Sequence, residues 1–251
     1  MNESGVTNSH RDLVLRRYLN EEYAQHNPSW DQEDSQWKAD LVMRTLDGQK
    51  LRPGTIAEIG CGAGKVLAEL RDSLPEAQLY GFDIAPAAAQ FWSEYATKGI
   101  RFTLGDFLSS DEKLYDVVLL LDVIEHLANP FEFLARVRPR ARYFIFHFPL
   151  DLSALTVLRE APLLLARTKV GHLHYFTKSL ALALLDECGY EVLDARFTNA
   201  ASSAPQRSWK SRLMGLLRRV CCTLSRDFAV RLLGGETLIV LARPRSQSCV
   251  S

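Results

Sequence analysis

The chain is poor in the features that would send it to a membrane, a secretory route or a nucleic acid. Its apolar runs fall short of the roughly 18 residues that mark a membrane-spanning helix, so none is expected. The opening Met1-Asn2-Glu3-Ser4-Gly5-Val6 lacks a basic stretch leading into an apolar one, which argues against a signal peptide. Its five cysteines (Cys61, Cys188, Cys221, Cys222 and Cys249) are odd in number and show no CxxC spacing. A disulfide framework and a structural zinc site are therefore not expected, and reduced thiols suit a cytoplasmic protein. There is no excess of either charge: 30 Lys and Arg face 30 Asp and Glu. No global field draws the chain to nucleic acid. Internal repeats and low-complexity tracts are also missing.

What is present is an ordinary globular composition, 47% apolar and 24% charged over 251 residues. That suits one domain with enough apolar matter for a substantial core. The pattern alternates strands with helices. Strands are predicted at 55–59, 78–82, 100–104, 115–121 and 142–147, and helices at 64–72, 86–97 and 129–137. Asn129-Pro130 fits the first turn of the last of these. Such alternation implies a parallel sheet covered on both faces. Upstream, a short helix is expected over 12–23, and Ser35 is positioned to cap another over 36–46. Downstream, the leucine-rich stretch 150–170 reads as an inserted helix or lid. Thr177 caps a helix that Gly189 ends, residues 190–196 read as a strand, and 236–242 as the last one.

The sharpest feature is Ile56-Ala57-Glu58-Ile59-Gly60-Cys61-Gly62-Ala63-Gly64. A buried strand runs into a turn with three alternating glycines, where a ligand can lie against the backbone. Asp83, about 20 residues past the last glycine and followed by Ile84, ends the second strand, where a carboxylate can hold a ribose diol. An adenosine-containing cofactor is implied. The dinucleotide pattern G-x-G-x-x-G is not met, because Lys65 stands where its third glycine belongs. Glu58 would repel a pyrophosphate but suits a cationic ligand such as S-adenosyl-L-methionine. Asp106 at the end of the third strand could accept the adenine amino group, and Phe107 could cover the ring. The run Tyr115–Leu121 has the apolar continuity of a central strand and delivers Asp122-Val123-Ile124-Glu125-His126-Leu127.

Taken together, these segments resemble the class I S-adenosylmethionine-dependent methyltransferases, in particular the group that includes the quinone-biosynthesis enzymes, over about residues 50–195. The hallmarks are E-x-G-C-G-x-G, the ribose acid and V-x-E-H-L. The resemblance implies a doubly wound, Rossmann-like α/β fold with a mostly parallel seven-stranded sheet and an antiparallel last strand. It implies a single domain over 1–251: an N-terminal helical cap (1–50), a cofactor-binding core (51–149), and acceptor-side insertions at 150–176 and 198–233. The cofactor residues would be Glu58, Gly60, Cys61, Gly62, Gly64, Asp83, Ile84, Asp106, Phe107 and Leu121. The implied reaction is methyl transfer to a small molecule, at oxygen by likeness to the quinone enzymes. A catalytically silent cofactor-binding scaffold and an RNA methyltransferase are the alternatives.

Catalytic candidates are four histidines. His126 ends the D-x-x-E-H cluster, His147 ends the fifth strand, and His172 and His174 sit in a G-H-x-x-x-F-like segment. Each could take a proton from an acceptor hydroxyl near neutral pH, or simply brace its loop. Asp122, Glu125 and His126 are spaced like the E-x-x-E-H metal ligands of some ubiquinone and small-RNA methyltransferases. Asp122 replaces the usual first Glu, and the expectation is packing without a metal. Residues 206–231 carry seven basic side chains, from Arg207 to Arg231, against Asp227 alone. Interleaved with leucines, they read as a solvated helical insertion, with peripheral contact to an anionic membrane as the other reading.

Overall fold

The computed structural model describes residues 16–19, 22–110, 112–198 and 225–245. Seven strands form one sheet: β1 (Thr55–Ile59), β2 (Gln78–Asp83), β3 (Arg101–Leu104), β4 (Tyr115–Leu121), β5 (Ala141–Pro149), β6 (Tyr190–Phe197) and β7 (Thr237–Pro244). Their order is β3-β2-β1-β4-β5-β7-β6. The first five pair in parallel, and β7 enters antiparallel between β5 and β6. This is the expected doubly wound sheet with an antiparallel last strand. Strand order reverses between β1 and β4, and the crevice above such a switch point is where this architecture binds ligands.

Among the described residues the helices include α1 (Glu22–His26), α2 (Ser35–Gly48), α3 (Lys65–Ser73), α4 (Pro86–Ala89), α5 (Pro130–Val137), α6 (Ala154–Arg159), α7 (Ala161–Leu165), α8 (Lys178–Glu187) and α9 (Arg226–Leu233). Two apolar layers sandwich the sheet. On one face Val42 and Leu46 of α2 and Leu67 and Leu70 of α3 pack with Ile56, Val117, Leu119 and Leu121. On the other, Leu134 and Val137 of α5 and Ala181, Leu184 and Leu185 of α8 meet Val118, Leu120, Phe144 and Phe146. Consecutive residues of β4 thus serve opposite layers, which is why its sequence is apolar throughout.

Caps follow the sequence at two places. The Asn129 side chain accepts from Glu132 N–H with Pro130 in the first turn, and Thr177 Oγ1 accepts from Leu180 N–H. Two expectations need correction. Ser35 lies inside α2, whose N-cap is Asp34, because a 3₁₀ turn over Gln32–Asp34 feeds the helix directly. The helix predicted over 86–97 is broken into α4 and a 3₁₀ stretch, Trp92–Lys98. Trp92 is drawn to Phe102 by ring stacking at 5.0 Å and donates its indole N–H to Gly62 O at 2.9 Å. Of the basic segment 206–231, residues 206–224 lie outside the described residues; 225–231 reach into α9. Among the described residues no helix is long and apolar enough to cross a membrane.

Candidate functional site

The glycine turn is fastened at both ends by β2. Gly60 and Cys61 N–H donate to Phe82 O at 2.8 and 3.1 Å. Asp83 then closes it: one carboxylate oxygen accepts from Gly62 N–H at 2.8 Å and the other from Ala85 N–H at 2.9 Å. The backbone follows from the residue type. Gly62 and Gly64 have φ of +51° and +81°, values that side chains avoid. Gly64 also lacks room, since a Cβ there would stand 2.5 Å from the Phe102 ring. At Gly62 the nearest neighbour of such an atom is Trp30, at 3.6 Å, so space remains on the side facing the crevice. Behind Gly64, α3 begins at Lys65 with its N-terminal N–H groups turned to the same region.

Glu58 stands beneath the turn on β1. It is 3% exposed, and its Oε2 has no hydrogen-bond partner. Burial raises its pKa to about 8, with Lys38 opposing and Asp83 adding to the rise. A buried carboxyl oxygen left without a partner is costly unless a ligand satisfies it. The chemistry of the donor set therefore fits a cationic adenosine cofactor: open glycine backbone, an acid at the end of β2 and an orphaned acid at β1. Cys61 and Leu121 line this side from within the apolar layer, and Ile84 follows Asp83 at the strand end, half-buried.

One expected contact, the aromatic cover, is placed differently. The Phe107 ring is 2% exposed and turned into the core, edge-on to Phe82 at 5.0 Å with Arg140 over its face. It is not available to cover an adenine. The Asp106 carboxylate caps the 3₁₀ turn Phe107–Ser109 by accepting from Leu108 N–H at 2.9 Å.

The D-x-x-E-H segment does not act as one cluster. Asp122, at φ +56°, turns away to Lys38 Nζ at 2.8 Å and His147 Nδ1 at 2.6 Å. Burial alone would raise its pKa, but these two partners overcome it and hold the carboxyl well below the usual range. His147 is buried, with its other ring nitrogen 2.6 Å from Thr237 Oγ1, so both nitrogens are taken and it serves as a brace rather than an accessible base. His174 likewise braces, through Nε2 to Leu127 O at 2.8 Å.

Glu125 and His126 meet a different partner. Leu173 and His174 N–H donate to Glu125 O at 2.7 and 3.1 Å, which pins the segment after α7 onto the 3₁₀ turn Ile124–His126. This delivers His172, whose ring lies 5.0 Å from that of His126. Ligand atoms of Glu125, His126 and His172 all lie within 4.8 Å of one another. Both Glu125 carboxylate oxygens and His126 Nδ1 are buried without hydrogen-bond partners. Burial, then Asp122, push the Glu125 pKa upward; burial and His172 lower that of His126 to about 4, so its ring is neutral. His172 is oriented by Asp151, whose Oδ2 lies 2.6 Å from Nδ1.

An N-terminal wall closes this end, built from aromatic residues of the expected helical cap that the sequence did not single out. Tyr18, Tyr23 and Trp30 pack in series as tilted rings at 5.2 and 5.1 Å, and both tyrosines meet His126 edge-on. Arg17 Nη1 donates to Arg167 O at 3.1 Å, joining that wall to the inserted helices.

A methyltransferase-domain profile matches residues 20–195. A search of curated protein sequences gives no match. Among solved structures, the magnesium protoporphyrin IX methyltransferase of Synechocystis PCC 6803, with S-adenosylhomocysteine bound, is similar at TM-score 0.57 and 19% identity, over 84% of this chain and 83% of that one. The plantazolicin methyltransferase, bound to a substrate analogue and S-adenosylhomocysteine, is similar at TM-score 0.62 and 19% identity, over 94% and 95%. The mitomycin 7-O-methyltransferase is similar at TM-score 0.55 and 16% identity, over 84% of this chain and 53% of that one.

Proposed function

This chain belongs to the methyltransferase-domain family as an S-adenosylmethionine-dependent methyltransferase, and from that premise we propose that its acceptor is a hydroxyl group of a small molecule. The cofactor is held by the glycine turn 60–64 with Glu58, Asp83 and Ile84. Bound S-adenosylmethionine supplies an electrophilic methyl group on its sulfonium. The protein has then to align the acceptor with that group, exclude water and remove one proton.

The observation that carries the reading is the Asp151–His172 pair. A buried imidazole oriented by a carboxylate, with its ring facing Glu125 and His126, is built as a general base. A hydroxyl acceptor needs such a base, because its proton must leave as the oxygen attacks. The acceptor pocket lies between the described part of the N-terminal cap, from residue 16, and the insertion 150–176. The joint between Arg17 and Arg167 supports that placement.

A turnover screen with methyl-labelled donor across quinols, phenols and sugars tests this. The expected product is a methyl ether. His172→Gln should lower kcat by about 10²–10⁴-fold, the usual worth of a general base. Asp151→Asn should lower it less and shift the pH profile. Label recovered on an amine, or full activity without His172, would refute the hydroxyl reading.

A further inference from the structure

Lys38 is a half-buried cation whose charge acts on Glu58 of β1. It projects from α2 with its side chain 14% exposed, and Nζ lies 2.8 Å from Asp122 Oδ2. Asp122 is gripped on its other oxygen by His147, and His147 in turn by Thr237, each at 2.6 Å. The ammonium is thus fixed through a chain that reaches from α2 across β4 and β5 to β7. Asp122 holds this place at φ +56°, in the left-handed region that few side chains other than Asn and Asp adopt.

An ammonium has three N–H donors. Among the described residues, Asp122 is the ion-pair partner within 4 Å of Lys38. Glu58 shares its face of the sheet. It pairs in register with Leu119, and Leu119 packs with Val42 and Leu46 of α2. A buried acid with one unpartnered oxygen and a half-buried, braced cation therefore lie on one side of the sheet, at the switch point between β1 and β4. That pairing complements an α-amino-acid head, which carries one ammonium and one carboxylate.

We propose that Lys38 anchors the carboxylate of the cofactor's methionine end while Glu58 receives its ammonium, with Asp122, His147 and Thr237 as positioning residues for Lys38. The proposal rests on the cofactor reading above. It gives α2 of the N-terminal cap a share of a site that the sequence motifs confine to β1, β2 and the turn between them.

The test compares two ligands by titration calorimetry: S-adenosylhomocysteine and 5′-methylthioadenosine, an adenosine thioether without the amino-acid head. Lys38→Met should lower affinity for the first about tenfold or more, as expected for a lost charge-assisted hydrogen bond, and leave the second unchanged. Lys38→Arg should recover much of the loss, and Asp122→Asn should show a smaller loss with the same ligand selectivity. Equal losses for both ligands, or none for either, would overturn the assignment. So would a selective loss in Arg17→Met with none in Lys38→Met, which would move the anchor to the other N-terminal cation. Failure of the unmodified protein to bind either ligand would refute the cofactor reading itself, a result distinct from these.

Discussion

At the scale of single residues, the glycine turn separates two requirements that look alike in sequence. Gly64 is needed by the fold, because a Cβ would enter the Phe102 ring. Gly62 is needed by the open face of the crevice and by its positive φ. Gly64→Ala should therefore lower the melting temperature by several degrees. Gly62→Ala should leave a folded protein, at a cost of about 1 kcal/mol, whose cofactor affinity measured by calorimetry is reduced. The reverse pattern would show that the roles are exchanged. Glu58 carries a pH signature. Its folded pKa of about 8 exceeds that of an exposed glutamate, so the folded state binds the extra proton. The stability this contributes is complete below the unfolded pKa and is lost as pH rises towards 8. Cofactor binding runs the other way, since a cationic ligand favours the ionised carboxylate. Apparent affinity should rise between pH 6 and 8 with release of a proton, read by calorimetry in buffers of different ionisation enthalpy. Glu58→Gln should flatten both trends; a pH-independent affinity in the unmodified protein would remove Glu58 from contact with the cation.

Among the elements, what was legible in the sequence is what periodicity and turn chemistry control. β1, β2, β4 and β5, the caps at Asn129 and Thr177, and the glycine turn follow from local residues. What was not legible depends on long-range partners. The break after α4 follows from Trp92 reaching Gly62 and Phe102. Phe107 turns inward because Phe82 and Tyr115 offer it a core. The D-x-x-E-H segment is the clearest case. Spacing alone groups Asp122 with Glu125 and His126, but Lys38 and His147, distant in sequence, claim Asp122. His172 takes its place through hydrogen bonds to the Glu125 carbonyl made by its neighbours. A metal at the rearranged group would have Glu125 as its single carboxylate beside two imidazoles. Transfer from a sulfonium needs no Lewis acid, so dialysis against a chelator is expected to leave turnover intact. Loss of activity restored by magnesium, manganese or zinc would identify Glu125, His126 and His172 as ligands.

For the whole molecule, the balance of charge sets what the fold can attract. Thirty basic and thirty acidic side chains leave no net field. Near the carboxyl ends of the strands stand four acidic side chains, Glu58, Asp83, Asp122 and Glu125, with Lys38 paired to Asp122. A polyphosphate chain approaching that crevice meets carboxylates, whereas RNA recognition depends on cations that displace its counterions. A neutral or cationic small molecule meets no such barrier. The enzyme should therefore leave structured RNA unretained in filter binding at about 50 mM salt, where counterion release makes phosphate contacts strongest. Label from the methyl donor should accordingly pass into the small-molecule fraction of a cell extract and not into its RNA. RNA that is both retained at low salt and labelled would favour an RNA acceptor. It would also require a basic surface, which the crevice itself does not supply.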